Sequence, residues 1–413
     1  MKKISVILLL LSLAVFLIAC HVSGNTQDDL PVTTNATTDG ESDIGGETGT
    51  DQETDIEIDT DIDSETDTKT ESETHTNTET EVNVDSGDET DTETETRPWN
   101  PIIVDEFAAL GDVGFELVNH DPAIIDRYAA AIGALAADLD GLATVYELTA
   151  PASCCFGITG EENILLGASD PVAAMEYTHA AMKAESDRLV AEGKLQTPIV
   201  IMDLCNLLGE KYAAGEYVYF RTDHHWTGLG AYYASRYFMD LVGKDYRPLS
   251  DYTEVALTGF LGSLHRHTQS EELAANPDTV YAYVSPTVKY MTVRSKDGVT
   301  KEIEMIRDSV SSSNKYVAFC GGDYQYSEIH NETITDGSAV LVIKDSYGNS
   351  FLPMLADSYE YVYGMDYRSW EGDLSAFVEE HNIDTVVIIN YQVCISLSSY
   401  VRAWERLVAQ QVE

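Results

Sequence analysis

Positive charge is what this chain has least of: 24 Lys and Arg stand against 71 Asp and Glu, for a formal net charge of −47. A protein that grips a phosphate backbone needs clustered basic side chains, so this balance disfavours nucleic acid as a partner. It argues equally against direct adhesion to anionic lipid or teichoic acid and leaves neutral or cationic substrates easier to accommodate. Cysteine is also sparse. Beyond Cys20 there are Cys154, Cys155, Cys205, Cys320 and Cys394, an odd number with no C-x-x-C pair. Most sit in or beside apolar runs and read as small buried hydrophobes, so no metal or redox site is expected, and the sequence selects no disulfide.

What is present begins with Met1-Lys2-Lys3, an apolar stretch from Ile4 to Ile18, and Leu17-Ile18-Ala19-Cys20. A positive start, a short apolar core and a small residue before cysteine predict an export signal rather than a membrane span. The Leu-Ile-Ala-Cys ending resembles a bacterial lipobox, which implies lipidation of Cys20 and an extracytoplasmic protein held to the membrane by acyl chains. Residues 21–97 then turn to Thr, Glu, Asp, Ser and Gly with almost no aromatics, and hold 25 acidic and 2 basic residues. Such a segment cannot bury enough apolar surface to offset its ordering entropy, and its net charge of −23 keeps it extended; it reads as a disordered tether. Removing that −23 and the +2 of Lys2 and Lys3 from −47 leaves −26 for residues 98–413.

Those 316 residues fit one α/β domain with an insertion. Apolar periodicity predicts helices over 126–139, 171–192, 230–242, 350–356, 372–381 and 397–408. Strands are expected over 143–148, 198–204, 339–344, 359–364 and 385–390. Repeated strand–helix–strand units imply a parallel sheet covered on both faces. Residues 245–335 break the rhythm with short β-like pieces such as 279–284 and 289–293, and read as a β-rich insertion beside the substrate cleft.

Chemistry concentrates in two places. Arg221-Thr222-Asp223-His224-His225-Trp226-Thr227-Gly228 sets a carboxylate and two imidazoles beside an indole just before a helix. Leu341-Val342-Ile343-Lys344-Asp345-Ser346-Tyr347-Gly348 runs an apolar strand into a serine on a tight turn, the way a nucleophile is presented at the carboxyl end of a parallel sheet. Together they supply the Ser, His and Asp of a hydrolase or acyltransferase triad. Metal-dependent phosphoesterases also use Asp-His-His, but need further ligands from other strand ends. Here His265 and His267 flank Arg266 in the insertion, while His120, His179 and His381 are isolated. No metal and no cofactor is expected. A non-catalytic polysaccharide-binding lipoprotein fits the tyrosine-rich composition, and an adhesin fits the long stalk; the second leaves the Asp-x-His and Ser elements unexplained.

Thr222-Asp223-His224-His225-Trp226-Thr227 followed by Gly230-Ala231-Tyr232-Tyr233, together with Phe319-Cys320-Gly321-Gly322, Lys344-Asp345-Ser346-Tyr347 and Asp366-Tyr367-Arg368, resembles the DHHW family of bacterial surface proteins. That family is similar to the SGNH-like proteins that O-acetylate alginate and other exopolysaccharides. The resemblance implies a flavodoxin-like SGNH-type parallel sheet in permuted order. It implies Ser346 as nucleophile, His225 as general base and Asp223 as the carboxylate orienting it. The chemistry agrees, since a serine hydroxyl needs a base, and a carboxylate fixes the imidazole tautomer.

The candidate oxyanion donors are the Ser346 and Tyr347 N–H groups, the Gly321-Gly322 turn and, through the resemblance, Arg368; an ion pair of Arg368 with Asp366 or Asp345 is the competing reading. Asp323 stands where the family leads one to expect an amide, and Asn390 is a weaker substitute. Asp345 is assigned to supporting the serine turn, and Asn349 and Ser350 to capping the next helix. If the backbone is extended, His224 faces away from His225. His224 and Trp226 are the substrate-binding candidates, Trp226 being either a platform for a sugar ring or a wedge under the histidine loop. The implied function is acetyl transfer to a cell-surface or extracellular polysaccharide, with a membrane-bound acyltransferase partner supplying acetyl groups; a carbohydrate esterase is the same chemistry with water as acceptor.

Overall fold

The computed structural model describes residues 99–411. The export signal, Cys20 and the acidic segment 21–97 lie outside the described residues. The chain opens with a small antiparallel sheet of β1 (Ile102–Val104), β2 (Phe107–Leu110) and β3 (Val113–Glu116). Helix Pro122–Asp138 leads into β4 (Thr144–Ala150), and helix Pro171–Ala191 precedes the short β5 (Val200–Ile201). Both helices start on an Asp cap followed by Pro: the side chains of Asp121 and Asp170 accept from the first free backbone N–H groups, and proline has no N–H to leave unpaired there. Helix Gly228–Val242 follows, capped by Thr227 and ended by Gly243 at φ 68°.

Next come β6 (Thr253–Phe260), β7 (Asp278–Val284), β8 (Tyr290–Arg294), β9 (Thr300–Glu304) and β10 (Tyr326–His330). The final third alternates: β11 (Ala339–Lys344), helix Gly348–Leu355, β12 (Tyr361–Asp366), helix Leu374–Glu380, β13 (Thr385–Tyr391) and helix Ser398–Ala409.

The main sheet has eight strands in the order β5-β4-β13-β11-β12-β10-β8-β9. The first five are mutually parallel, and β10, β8 and β9 are added antiparallel. Read from β11, the parallel part follows β12-β11-β13-β4-β5, which is the 2-1-3-4-5 order of a flavodoxin-like sheet with the chain entering at its fourth strand. That is the permuted SGNH-type order. The switch point, where successive connections leave in opposite directions, lies between β11 and β13, and in open α/β sheets ligands bind outside the carboxyl ends of the strands there.

Both faces of the sheet are covered, so its central strands are apolar throughout rather than alternating. Val340, Val342, Val387 and Ile389 pack with Ala234 and Phe238 of helix Gly228–Val242 and Phe351 of helix Gly348–Leu355. Leu341, Ile343, Val386 and Ile388 pack on the other face with Ile132 and Leu135 of helix Pro122–Asp138 and with Trp404 and Leu407.

The β-rich segment 245–335 takes two forms. β6 and β7 make a separate two-stranded sheet, while β8, β9 and β10 extend the main one. The strand expected over 198–204 is paired only at Val200 and Ile201, because it is the sheet edge and meets β4 alone. The β1–β3 meander was not foreseen; its strands of three or four residues are too short to show a period. It matters for the site, because the Gly114 N–H donates to the Arg221 carbonyl at 2.7 Å. Among the described residues no helix is long and apolar enough to cross a membrane.

Candidate active site

From Ala339 to Ala356 every residue is buried except Ser346, which is partly exposed. The reason is local. β11 ends at Lys344, helix Gly348–Leu355 begins four residues later, and Ser346 occupies the bend between them. Asp345 holds that bend: one carboxylate oxygen accepts the Tyr347 N–H at 2.9 Å and the other the Tyr391 N–H at 2.6 Å. Its assignment to the serine turn therefore has a geometric basis, with the turn tied to the end of β13.

The histidine loop runs between the bridge partners Tyr219 and Trp226 and is not extended. Asp223 Oδ1 accepts from the His225 N–H at 3.0 Å and lies 2.6 Å from His225 Nδ1, while Oδ2 accepts the Ser263 N–H at 3.0 Å. His225 Nε2 is 2.8 Å from Ser346 Oγ. Asp223, His225 and Ser346, drawn from elements 121 residues apart, thus form one hydrogen-bonded chain. Gly262 makes room for it, since a Cβ there would fall 2.2 Å from Asp223 Cβ. Any side chain at 262 would displace the carboxylate.

Burial by itself would raise the Asp223 carboxyl, but the His225 and His224 imidazoles and the hydrogen bonds from His225 and Ser263 hold it far below the usual carboxylate range. The stability this ion contributes is fully present above the unfolded value of about 3.9 and is lost as pH falls through the lowered folded value. The carboxylate is therefore ionised wherever His225 needs orienting. Burial and the neighbouring His225 lower His224.

Two supporting residues come from the β-rich segment and carry no motif. Tyr316 stacks on His225, ring centroids 3.8 Å apart and planes 14° apart, and its hydroxyl donates to the Ser346 carbonyl at 3.1 Å. One side chain thus fixes both imidazole and nucleophile turn. Asp278, at the start of β7, accepts from the Thr222 N–H at 2.7 Å, the Thr222 hydroxyl at 2.6 Å and the Tyr217 hydroxyl at 2.5 Å. Asp278 clamps the loop from beneath. Only a turn-flanked Asp at the head of a strand could have signalled it.

Several sequence assignments change. Trp226 is fully buried and donates Nε1–H to the Tyr347 carbonyl and to Ser350 Oγ, so it is the wedge and not a sugar platform. His224 does not face away: its ring lies 3.9 Å from that of His225, and its Nδ1 is 2.6 Å from Ser263 Oγ. The bend in the loop, absent from an extended reading, turns it inward. Asn349 and Ser350 do not cap the helix but lie within its first turn.

Three of the named oxyanion candidates are already engaged. Tyr347 N–H goes to Asp345, Gly322 N–H closes a turn on the Phe319 carbonyl, and Arg368 gives Nε and Nη2 to Asp366 and Nη2 to Asp323. Arg368 is an ion-pair residue, with Asp366 as expected and Asp323 in place of Asp345. Asn390 is spent on Tyr128 and Trp404. The Ser346 N–H has no acceptor among the described residues. Asp323, half-buried and held ionised by Arg368 and Lys344, anchors Asn349 at 2.7 Å.

Asp223, His224 and His225 also bring ligand atoms within 4.8 Å of one another. Both His225 nitrogens and His224 Nδ1 are already hydrogen-bonded, so this donor set is occupied without an ion. The described cysteines are free thiols.

The DHHW protein family matches residues 52–365. Among solved structures the chain is similar to a DHHW family protein from Eubacterium siraeum, 22% identical, TM-score 0.60, covering 74% of this chain and 97% of that one. It is also similar to PatB1 of Bacillus cereus, 18% identical, TM-score 0.54, covering 73% and 98%. The same PatB1 with a sulfonyl adduct gives 18% identity and a TM-score of 0.53 over 73% and 97%. No curated protein matches.

Proposed function

The chain belongs to the DHHW family, and from that membership and the site geometry we propose that it is an SGNH-type acyltransferase acting on a polysaccharide through Ser346, His225 and Asp223. The observation that carries the proposal is the unbroken chain from Asp223 Oδ1 through His225 to Ser346 Oγ, with contacts of 2.6 and 2.8 Å. Ser346 Oγ attacks the acyl carbonyl while His225 Nε2 takes its proton, and the Asp223 carboxylate stabilises the imidazolium. The tetrahedral oxyanion forms beside the Ser346 N–H. Its collapse breaks the bond to the leaving group, which receives the proton from His225, and leaves an acyl-serine ester. A sugar hydroxyl then gives its proton to His225, attacks the ester carbonyl and expels Ser346 Oγ, which takes the proton back. With water as acceptor the same cycle is an esterase. Acetyl groups needed outside the membrane must be supplied across it, which calls for a membrane-bound acyltransferase partner.

The deciding experiment is the intact mass of the full chain after incubation with an activated acetyl ester, wild type beside Ser346→Ala. Gain of one acetyl group by the wild type alone supports the proposal. An equal gain by Ser346→Ala, or none by either with turnover also absent, removes it.

We further propose that Cys20 is lipidated and that 21–97 tethers the domain to the outer face of the membrane. Cys20→Ala is expected to move the protein from the membrane fraction to the soluble one on fractionation; an unchanged membrane fraction would overturn the anchor.

A further inference from the structure

Trp226 is buried, so any aromatic surface open to a sugar lies elsewhere. A cavity of about 220 Å³ opens beside the histidine loop, lined by Tyr217, Thr227, Leu229, Glu254, Tyr281 and Tyr283. We propose that it is a subsite for one neutral or amine-bearing pyranose ring of the acceptor glycan; this rests on the acyl-transfer reading only for the word acceptor.

Size comes first. The cavity is smaller than a site for a drug-sized molecule and suits one ring of a longer chain. Its walls are the right chemistry, because tyrosine presents a large apolar face to the C–H face of a sugar and a hydroxyl to its polar edge. Tyr217 and Tyr281 meet at 89° with centroids 6.3 Å apart, making a corner rather than a flat patch. Tyr217 is held rigid by its bond to Asp278. The Tyr281 and Tyr283 hydroxyls make no hydrogen bond among the described residues, and Glu254 makes no ion pair there. Burial and the nearby Glu254 push the Tyr283 phenol up to about 12, so it stays a donor. Two donors and one carboxylate acceptor are thus free to meet hydroxyls or an amine.

Charge narrows the occupant. No basic side chain lines the cavity, Glu254 is the one acidic residue on its wall, and residues 98–413 sum to −26. A uronate or phosphorylated sugar would be repelled. Position ties the cavity to the triad. Gly228 is pressed so close to β7 that a Cβ would lie 2.4 Å from the Tyr281 carbonyl, 3.3 Å from Tyr283 and 3.3 Å from Phe319. Phe319 packs on Tyr316, centroids 5.3 Å apart, and Tyr316 stacks on His225. Tyr217 on the cavity wall packs on Phe220, and Phe220 on Tyr316, so a row of rings runs from the cavity to the imidazole.

The test uses the full chain labelled with 3-fluorotyrosine, its Tyr281 and Tyr283 fluorine signals assigned by Tyr281→Phe and Tyr283→Phe. Cellotetraose, chitotetraose, a glucosamine tetramer and a mannuronate tetramer are titrated in turn. At least one neutral or amino oligomer is expected to move both signals and the mannuronate tetramer neither, and Tyr281→Ala is expected to weaken that binding about tenfold. Signals unmoved by every oligomer, equal shifts with mannuronate, or unchanged affinity in a folded Tyr281→Ala protein would each overturn the subsite. Acetylation of Ser346 in the wild type is scored separately. If it fails while the shifts persist, the acyl-transfer reading falls and the glycan site stands; the converse result spares the chemistry and removes the site.

Discussion

Ser346→Ala, His225→Ala and Asp223→Ala are each expected to lower turnover of an activated acetyl ester by about 10⁴-fold, and the triple variant by little more. The three side chains act as one device. Without His225 the proton on Ser346 Oγ has no acceptor, and without Asp223 the imidazole loses the partner 2.6 Å from Nδ1 that fixes its tautomer. Once one link is gone the others have nothing to act through, so losses do not multiply. Asp223→Asn separates orientation from charge. The amide can fill the same space opposite the Ser263 N–H, yet it presents a donor as readily as an acceptor, so a loss close to that of Asp223→Ala is expected. Initial rates of ester cleavage by the full-length variants provide the check. Mild losses that multiply across the series would mean that the three residues are a structural polar cluster.

Asp278→Ala is expected to destabilise the protein by about 3–5 kcal/mol and to abolish turnover with it. The carboxylate is fully buried and gathers the Thr222 N–H and hydroxyl, the Tyr217 hydroxyl and the Arg221 N–H. Its removal strands those donors in a dry interior, where each unpaired group costs about 1–3 kcal/mol. They belong to the loop that carries Asp223 and His225, so the penalty falls on the site. The melting midpoint should drop by about 5–15 °C. Asp278→Asn keeps the shape and part of the acceptor capacity and should recover much of the loss. A melting curve for Asp278→Ala that overlays the wild type would show that the loop holds itself.

The sequence carried the parts of the site that sit on regular elements. The apolar run before Ser346 could only be a buried parallel strand, and serine at its end could only face the sheet's carboxyl edge. The spacing of Asp223 and His225 allowed their hydrogen bond. What it could not carry was contact between distant segments. Tyr316, Asp278, Ser263 and Gly262 all come from the stretch between β5 and β11 with little periodicity, and their roles depend on where β6 and β7 fold back against the histidine loop. His224 was misplaced, and Trp226 left between platform and wedge, for a related reason. A bend between Tyr219 and Trp226 overrides the alternation of an extended chain, and nothing in the local residue types announces it. The oxyanion candidates were chosen by residue type, whereas their availability was decided by neighbours such as Asp345, Asp366 and Asp323.

The permuted strand order also sets when this protein can become a protein. β13 lies in the middle of the parallel sheet, between β4 and β11, yet it comes after every other strand of that sheet among the described residues. Until residues 385–391 arrive, the nascent chain holds two half-sheets with nothing between them, each offering an apolar open edge of the kind that recruits a second chain. The Ser346 turn is incomplete at that stage too, because Asp345 hangs on the Tyr391 N–H. A ribosome that stops before β13 therefore leaves no slightly shortened enzyme but an unsealed and adhesive intermediate, and β13 acts as the closing stitch of the sheet.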